Sequence, residues 1–283
     1  MAFAALMLVA AACGDDDPAA TSSIAPTTTG STEAVVYTPP TGAGDVILRM
    51  VIGVNQPDPL AILEAFPEFT LYGDGRLLVS DPDTRGASLR SLIEFQVDPA
   101  GIQLLLAAAG DHGALDPLDS YGSTDVADSD TTSFVVDAGS DRATFGVYNV
   151  TGQSGDITSE QLAARADLVE LRDLLRDFRA VLGDDIVSEQ PFVPHGVAVF
   201  GVERGSGAEL MLPFDLETTG DSVETRIDSV QCLIATGPDV DDLTLLLAGT
   251  DRGTRWLVNG ASWAIVFRPV LPDEGGCAEL ASG

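Results

Sequence analysis

From residue 45 to residue 268 the apolar side chains fall in short runs that pair off around tight turns, a pattern that antiparallel sheet satisfies and a helical bundle does not. Residues 45–54 read as a strand through Val46, Ile47, Leu48, Met50 and Val51. Residues 69–72 and 77–79 flank Gly73-Asp74-Gly75, and 255–258 and 262–268 flank Asn259-Gly260, both hairpin turn signals. Residues 131–137 and 143–150 form a further hairpin, and 92–97, 196–203 and 229–235 add single strands.

Helices interrupt these strands without ever alternating with them one for one. Asp98-Pro99 supplies an N-cap and a proline at the first helical position, after which Ile102, Leu105, Leu106 and Ala109 keep helical spacing until Gly110. Thr158-x-x-Gln161 has the form of a capping box. Behind it Leu168, Leu171, Leu175, Phe178 and Leu182 form one apolar stripe ending at Gly183, with Arg165, Arg172, Asp173, Arg176 and Asp177 mostly off it. A short third helix spans 239–248, N-capped by Asp239. The absence of βαβ order predicts an α+β fold. Residues 45–183 are expected as an antiparallel sheet packed by two main helices. A linker around Asp184-Asp185, Ser188, Pro191 and Pro194 leads to a smaller strand-rich α+β domain over 184–283.

Charge excludes several partners. The 44 acidic residues face 14 basic ones, all arginine, for a net charge of -30. Nucleic acid requires clustered cations to release counterions, so it is excluded as a partner. Docking on anionic lipid through a basic patch is disfavoured in the same way. Mutual repulsion between copies predicts a soluble monomer.

Ahead of the globular part, residues 2–12 are an unbroken apolar run followed directly by Cys13-Gly14-Asp15-Asp16-Asp17. Eleven residues fall short of the roughly 20 that span a hydrocarbon core but suit the apolar region of a secretory signal. Small residues immediately before a cysteine, here Val9-Ala10-Ala11-Ala12-Cys13, resemble the lipobox of bacterial lipoproteins. Ala10 stands where that family usually has leucine, and no basic residue precedes the run. The resemblance implies removal of residues 1–12 and lipidation of Cys13, with the protein held on the outer face of the cell membrane. Residues 14–44 are rich in Thr, Pro, Ser and Asp and read as a disordered tether.

With Cys13 acylated, Cys232 and Cys277 remain, and an oxidising exterior favours their pairing over metal binding by two widely spaced thiols. Closing a loop of about 46 residues stabilises a fold by roughly 4 kcal/mol in the chain-entropy model.

The globular part has further likenesses. Phe69-Thr70-Leu71-Tyr72-Gly73-Asp74-Gly75-Arg76, the Asp98-Pro99 helix start, Tyr121-Gly122, Asp130-Thr131-Thr132 and Arg268-Pro269-Val270-Leu271-Pro272-Asp273-Glu274 follow the lipobox and tether in order. The set resembles uncharacterised cell-envelope lipoproteins of high-GC Gram-positive (actinobacterial) type. These motifs are turns and caps, so the resemblance implies shape and address, and it brings no catalytic residues.

The common catalytic motifs are missing from the residues themselves. Neither G-x-S-x-G nor Walker A occurs, and a chain without lysine has no Ser-x-x-Lys. His112 follows a helix end and His195 precedes a strand, and both read as local hydrogen-bonding residues. Asp125, Asp128 and Asp130 are a candidate calcium cluster, since hard oxygen ligands on a loop suit that ion, although the EF-hand pattern is not matched. Trp256 and Trp263 flank a hairpin and read as core aromatics before sugar platforms. The expectation is a non-catalytic binding or structural module of the cell envelope, with an envelope protein, a glycan or another envelope component as partner. A secreted hydrolase with an acidic site and a calcium-dependent binding protein stand as the alternatives.

Overall fold

The computed structural model describes residues 35–53, 58–63, 66–204, 207, 210–213, 219–225 and 228–281. In chain order the elements begin β1 (Val46–Gly53), α1 (Pro59–Leu63), β2 (Pro67–Tyr72), β3 (Arg76–Ser80), β4 (Leu92–Val97), α2 (Pro99–Asp111) and β5 (Ser123–Thr124). There follow β6 (Thr131–Asp137), β7 (Arg142–Tyr148), β8 (Gly155–Asp156), α3 (Ser159–Arg176), α4 (Phe178–Leu182) and β9 (Ile186–Pro191). The last part holds β10 (Gly196–Glu203), β11 (Leu210–Met211), β12 (Asp221–Glu224), β13 (Ser229–Thr236), α5 (Pro238–Leu247), β14 (Arg255–Val258), β15 (Ala261–Pro269) and α6 (Cys277–Ala281).

The fold is α+β. A seven-stranded antiparallel sheet has the order β7-β6-β1-β2-β3-β4-β9, and a second sheet has the order β11-β14-β15-β10-β13-β12. Turn chemistry sets both registers. Gly75 takes φ +85° between β2 and β3, and Asn259-Gly260 takes φ +49° and +83° between β14 and β15, the left-handed pair that a tight hairpin demands.

Helices α2 and α3 cover one face of the first sheet. Leu105, Leu106, Leu168, Leu171 and Leu175 are buried against Leu48, Met50, Phe69 and Phe134, each buried leucine being worth about 1.5–3 kcal/mol. The capping box at Thr158 and Gln161 forms in both directions, and Asp98 caps α2 by accepting from Ala100 and Gly101. The second sheet is covered by α5 on one face, through Val240, Leu243 and Leu247. On its other face α1 and α6 pack through Leu60, Leu63 and Leu280.

Five differences from the sequence reading have physical causes. The stripe from Leu168 to Leu182 is not one helix: α3 stops at Arg176, Asp177 leaves helical geometry, and α4 starts at Phe178. Arg165 lies on the buried side of α3, 2% exposed. Its guanidinium donates to the carbonyls of Tyr121, Gly122, Tyr148 and Asn149 at 2.7–3.3 Å, so hydrogen bonds satisfy a charge that hydropathy would place outside. The stretch after Gly183 is not a linker, because residues 186–191 pair with β4 as the edge strand β9. Residues 35–44, expected in the tether, are held to the fold: Tyr37 donates its amide to Gln103 Oε1 at 2.8 Å and accepts from Gln103 Nε2 at 3.0 Å. Residues 1–34, with Cys13 and the greater part of the tether, lie outside the described residues. Helix α5 is capped by Gly237 rather than Asp239, which sits in its first turn where the helix dipole favours a carboxylate.

The two sheets are laced together. Helix α1, inserted between β1 and β2, packs on β10, β13 and β15. The β3–β4 connection hooks onto the second sheet, Ser88 donating its amide to Thr250 O at 3.2 Å and its hydroxyl to Asp251 O at 2.6 Å. Val35–Gly283 forms a single compact unit.

Candidate functional site

The break at Asp177 opens a cleft. As the chain turns out of α3, Phe178 drops onto the sheet edge-on to Phe95 and Phe69, at 5.0 and 6.1 Å between ring centres. Met50, Val79, Ile93 and Phe95 supply a floor from β1, β3 and β4. The cavity above it measures about 410 Å³, within the about 300–1,000 Å³ usual for small-molecule sites.

Its rim is charged against the trend of the chain. Arg85 and Arg90 come from the β3–β4 connection, and Arg176 and Arg179 from the α3–α4 corner, facing Glu68, Asp81 and Asp177. Four of the chain's 14 arginines therefore meet at one cleft, where they outnumber the carboxylates, in a molecule with 44 acids. Low-dielectric walls concentrate such a local field.

The arginines differ in how firmly they are held. Arg179 makes a two-pronged pair with Glu189, at 2.8 and 2.6 Å, and lies 4.5 Å over the Phe95 ring. Its hydrogen bonds to Glu189 raise the Arg179 pKa and hold the Glu189 carboxyl below the usual range. Arg176 has a single contact, Nε to Glu68 Oε2 at 3.0 Å, with both side chains partly exposed. Arg85 makes no ion pair or side-chain hydrogen bond among the described residues. A smaller polar chamber of about 150 Å³, lined by Ile52, Ser129, Asp130, Thr151 and Arg172, shares Arg176 with the cleft.

A separate ionic cluster lies where the chain returns from β15 to the first sheet. Arg49 Nη2 and the Tyr72 hydroxyl both donate to Asp273 Oδ1 at 2.7 Å. Arg268 pairs with Glu274, whose other oxygen accepts from the Leu271 amide at 2.8 Å. Burial raises the Glu274 pKa against the attraction of Arg268, and burial together with the Asp273 carboxylate raises that of Tyr72. Two neighbouring carboxyl groups, one of them raised, are what a hydrolase with an acidic site requires. Here both are tied to cations and neither lines a cavity described above, so they act as a clamp.

Cys232 and Cys277 form a disulfide that fastens α6 to β13. Asp125, Asp128 and Asp130 are all exposed on a loop held through backbone contacts such as Asn149 N to Asp130 O at 2.7 Å. They do not converge. Among the described residues the group of three metal-capable side chains whose ligand atoms all lie within 4.8 Å of one another is His112, Asp167 and Glu170, half-buried, exposed and exposed. His195 is exposed. Trp256 and Trp263 are buried, Trp256 packing edge-on against Phe267 at 5.3 Å, so neither offers a sugar platform. No helix among the described residues is long and apolar enough to cross a membrane.

Sequence reasoning missed the cleft. Arg172 and Arg176 stood out only as polar residues beside a stripe, and Arg85 and Arg90 belong to no motif. The available signal was the pairing of scarce arginines with Phe178, but no local pattern joins residue 85 to residue 179. Comparison with known proteins yields no matching family, no matching curated protein and no matching solved structure.

Proposed function

We propose that the chain is an exported lipoprotein, anchored at the outer face of the membrane through diacylglycerol on Cys13, and that it works as a non-catalytic binding module whose ligand site is the cleft between β1, β3, β4 and the α3–α4 corner. The observation that carries the reading is the gathering of four scarce arginines around an apolar floor. A packed sheet and helix supply rigid walls, the usual support for a preformed site. The lipobox-like leader supplies the address, and two acyl chains anchor a protein stably where one does not.

The test is native mass spectrometry of the full-length protein released gently from its own envelope. A co-purifying small molecule is expected on the wild type and absent from Val79→Trp, which fills the floor. Equal small-molecule content in both proteins, or none in either, contradicts the reading.

A further inference from the structure

Resting on that reading, we infer that the cleft takes an amphiphile with an oxyanion head, its apolar body lying along the half-buried Val79 and Ile93 and its carboxylate or phosphate monoester held by Arg85 and Arg176. The floor alone would accept any greasy molecule. The rim narrows the choice. An ammonium head would be repelled by Arg85 and Arg176, the two rim arginines with terminal donors to spare, and a sugar head would give the Arg85 guanidinium no counter-charge. Free phosphate satisfies the rim and leaves the apolar surface of Val79 and Ile93 uncovered.

Availability separates the arginines by role. Arg179 is committed to Glu189 with both terminal nitrogens and stacks on Phe95, so it shapes the wall. Arg176 uses only Nε on Glu68, and its Nη1 and Nη2 donate to nothing else among the described residues. A planar guanidinium with two terminal donors in hand matches a carboxylate or phosphate in a forked geometry. Arg176 also borders the smaller chamber, where Ser129 and Thr151 offer hydroxyls and Arg172 a further cation, beside the single acid Asp130. The head group thus sits at the junction of an apolar and a polar compartment. The β3–β4 connection that carries Arg85 is itself fixed by Ser88 to the second sheet, so the second sheet positions the rim.

The experiment is calorimetric titration of the full chain carrying Cys13→Ser, which needs no detergent, with octyl phosphate, octanoate, octyl glucoside, octylammonium and inorganic phosphate, all below micelle formation. Octyl phosphate and octanoate are expected to bind one to one, each at least about ten-fold more tightly than the neutral and cationic octyl compounds and than inorganic phosphate, the ratio set by one charge-assisted contact. The relative affinities of octyl phosphate and octanoate assign the head as phosphate or carboxylate. Arg85→Gln with Arg176→Gln should remove that preference while leaving the weak octyl glucoside binding unchanged, and Arg255→Gln on β14 should change nothing. Equal binding of octyl glucoside and octyl phosphate overturns the head-group assignment and leaves the binding module standing. Failure of every probe, with a ligand still retained from the envelope, overturns the amphiphile class alone; failure of every probe with no retained ligand overturns both.

Discussion

Arg49 and Asp273 stand 224 residues apart in sequence and 2.7 Å apart in space, and their ion pair fastens the last turn of the chain to the first strand. Both side chains are largely buried, at 15% and 17% exposure, so the loss of either leaves a charge in a poor solvent. Asp273→Asn is expected to destabilise the fold by about 3 kcal/mol, measured by urea unfolding. The double variant Arg49→Met, Asp273→Leu should be more stable than Asp273→Asn, because no charge is then stranded. An unchanged midpoint for Asp273→Asn would show that water reaches the pair.

Tyr72 shares the same carboxylate oxygen, and burial with that neighbouring charge holds its hydroxyl above the ordinary tyrosine range. Below about pH 10 the phenol is protonated in both folded and unfolded chains and contributes no pH dependence. Above it the unfolded chain loses the proton and the folded chain keeps it, so stability falls as pH rises, by up to about 1.4 kcal/mol per unit from this one group. Tyr72→Phe is expected to flatten the loss between pH 9.5 and 11, leaving the smaller share of Tyr121, whose pKa burial also raises. Its neutral-pH stability should drop by about 2 kcal/mol for the lost charge-assisted hydrogen bond. Identical alkaline slopes for the two proteins would contradict the assignment.

Arg165 holds two loops to α3 through four backbone carbonyls and no carboxylate, and burial lowers its pKa. Arg165→Met should cost about 3 kcal/mol by stranding those carbonyls. Arg165→Lys should recover little of it, since a point charge cannot span the same fork. Hydrogen exchange at Tyr121, Gly122 and Asn149 should rise in both variants. Full rescue by lysine would show that charge alone, without geometry, holds the loops.

What the sequence made legible was whatever is governed by neighbours along the chain. Asp98-Pro99, Thr158 with Gln161, and Asn259-Gly260 each act within a few residues, and each forms as read. Short apolar runs marked the inner strands of both sheets and β7, but not the edge strands β9, β11 and β12, whose residues are mostly exposed. The break at Asp177 was invisible because Phe178 and Leu182 continue the helical spacing, while the contacts made at the turn, Phe178 with Phe69 and Phe95 and Arg179 with Glu189, are to residues distant in sequence. Arg165 misled for a related reason: its position three residues before Leu168 is on the stripe, but its charge argued for solvent. The cleft was least legible, since it depends on bringing residues 50, 85, 95 and 179 together, and pairing order across seven strands is not written in any one segment.

The address can be tested apart from the fold. Cys13→Ser is expected to shift the protein from the membrane fraction to the soluble one and to abolish acylation in the mature mass spectrum. Urea unfolding of the released chain should be unaltered, because Val35–Gly283 is compact by itself. Continued membrane fractionation of the serine variant without acyl groups would contradict a lipid anchor.

The most direct test of the binding reading is an arginine side-chain Nε–Hε NMR spectrum of the protein as isolated from its envelope, compared with the same protein after organic extraction of small molecules. Extraction is predicted to move the Arg85 and Arg176 resonances while Arg49 and Arg165, bound inside the fold, stay in place. Superimposable spectra, or changes confined to arginines outside the cleft, would contradict it.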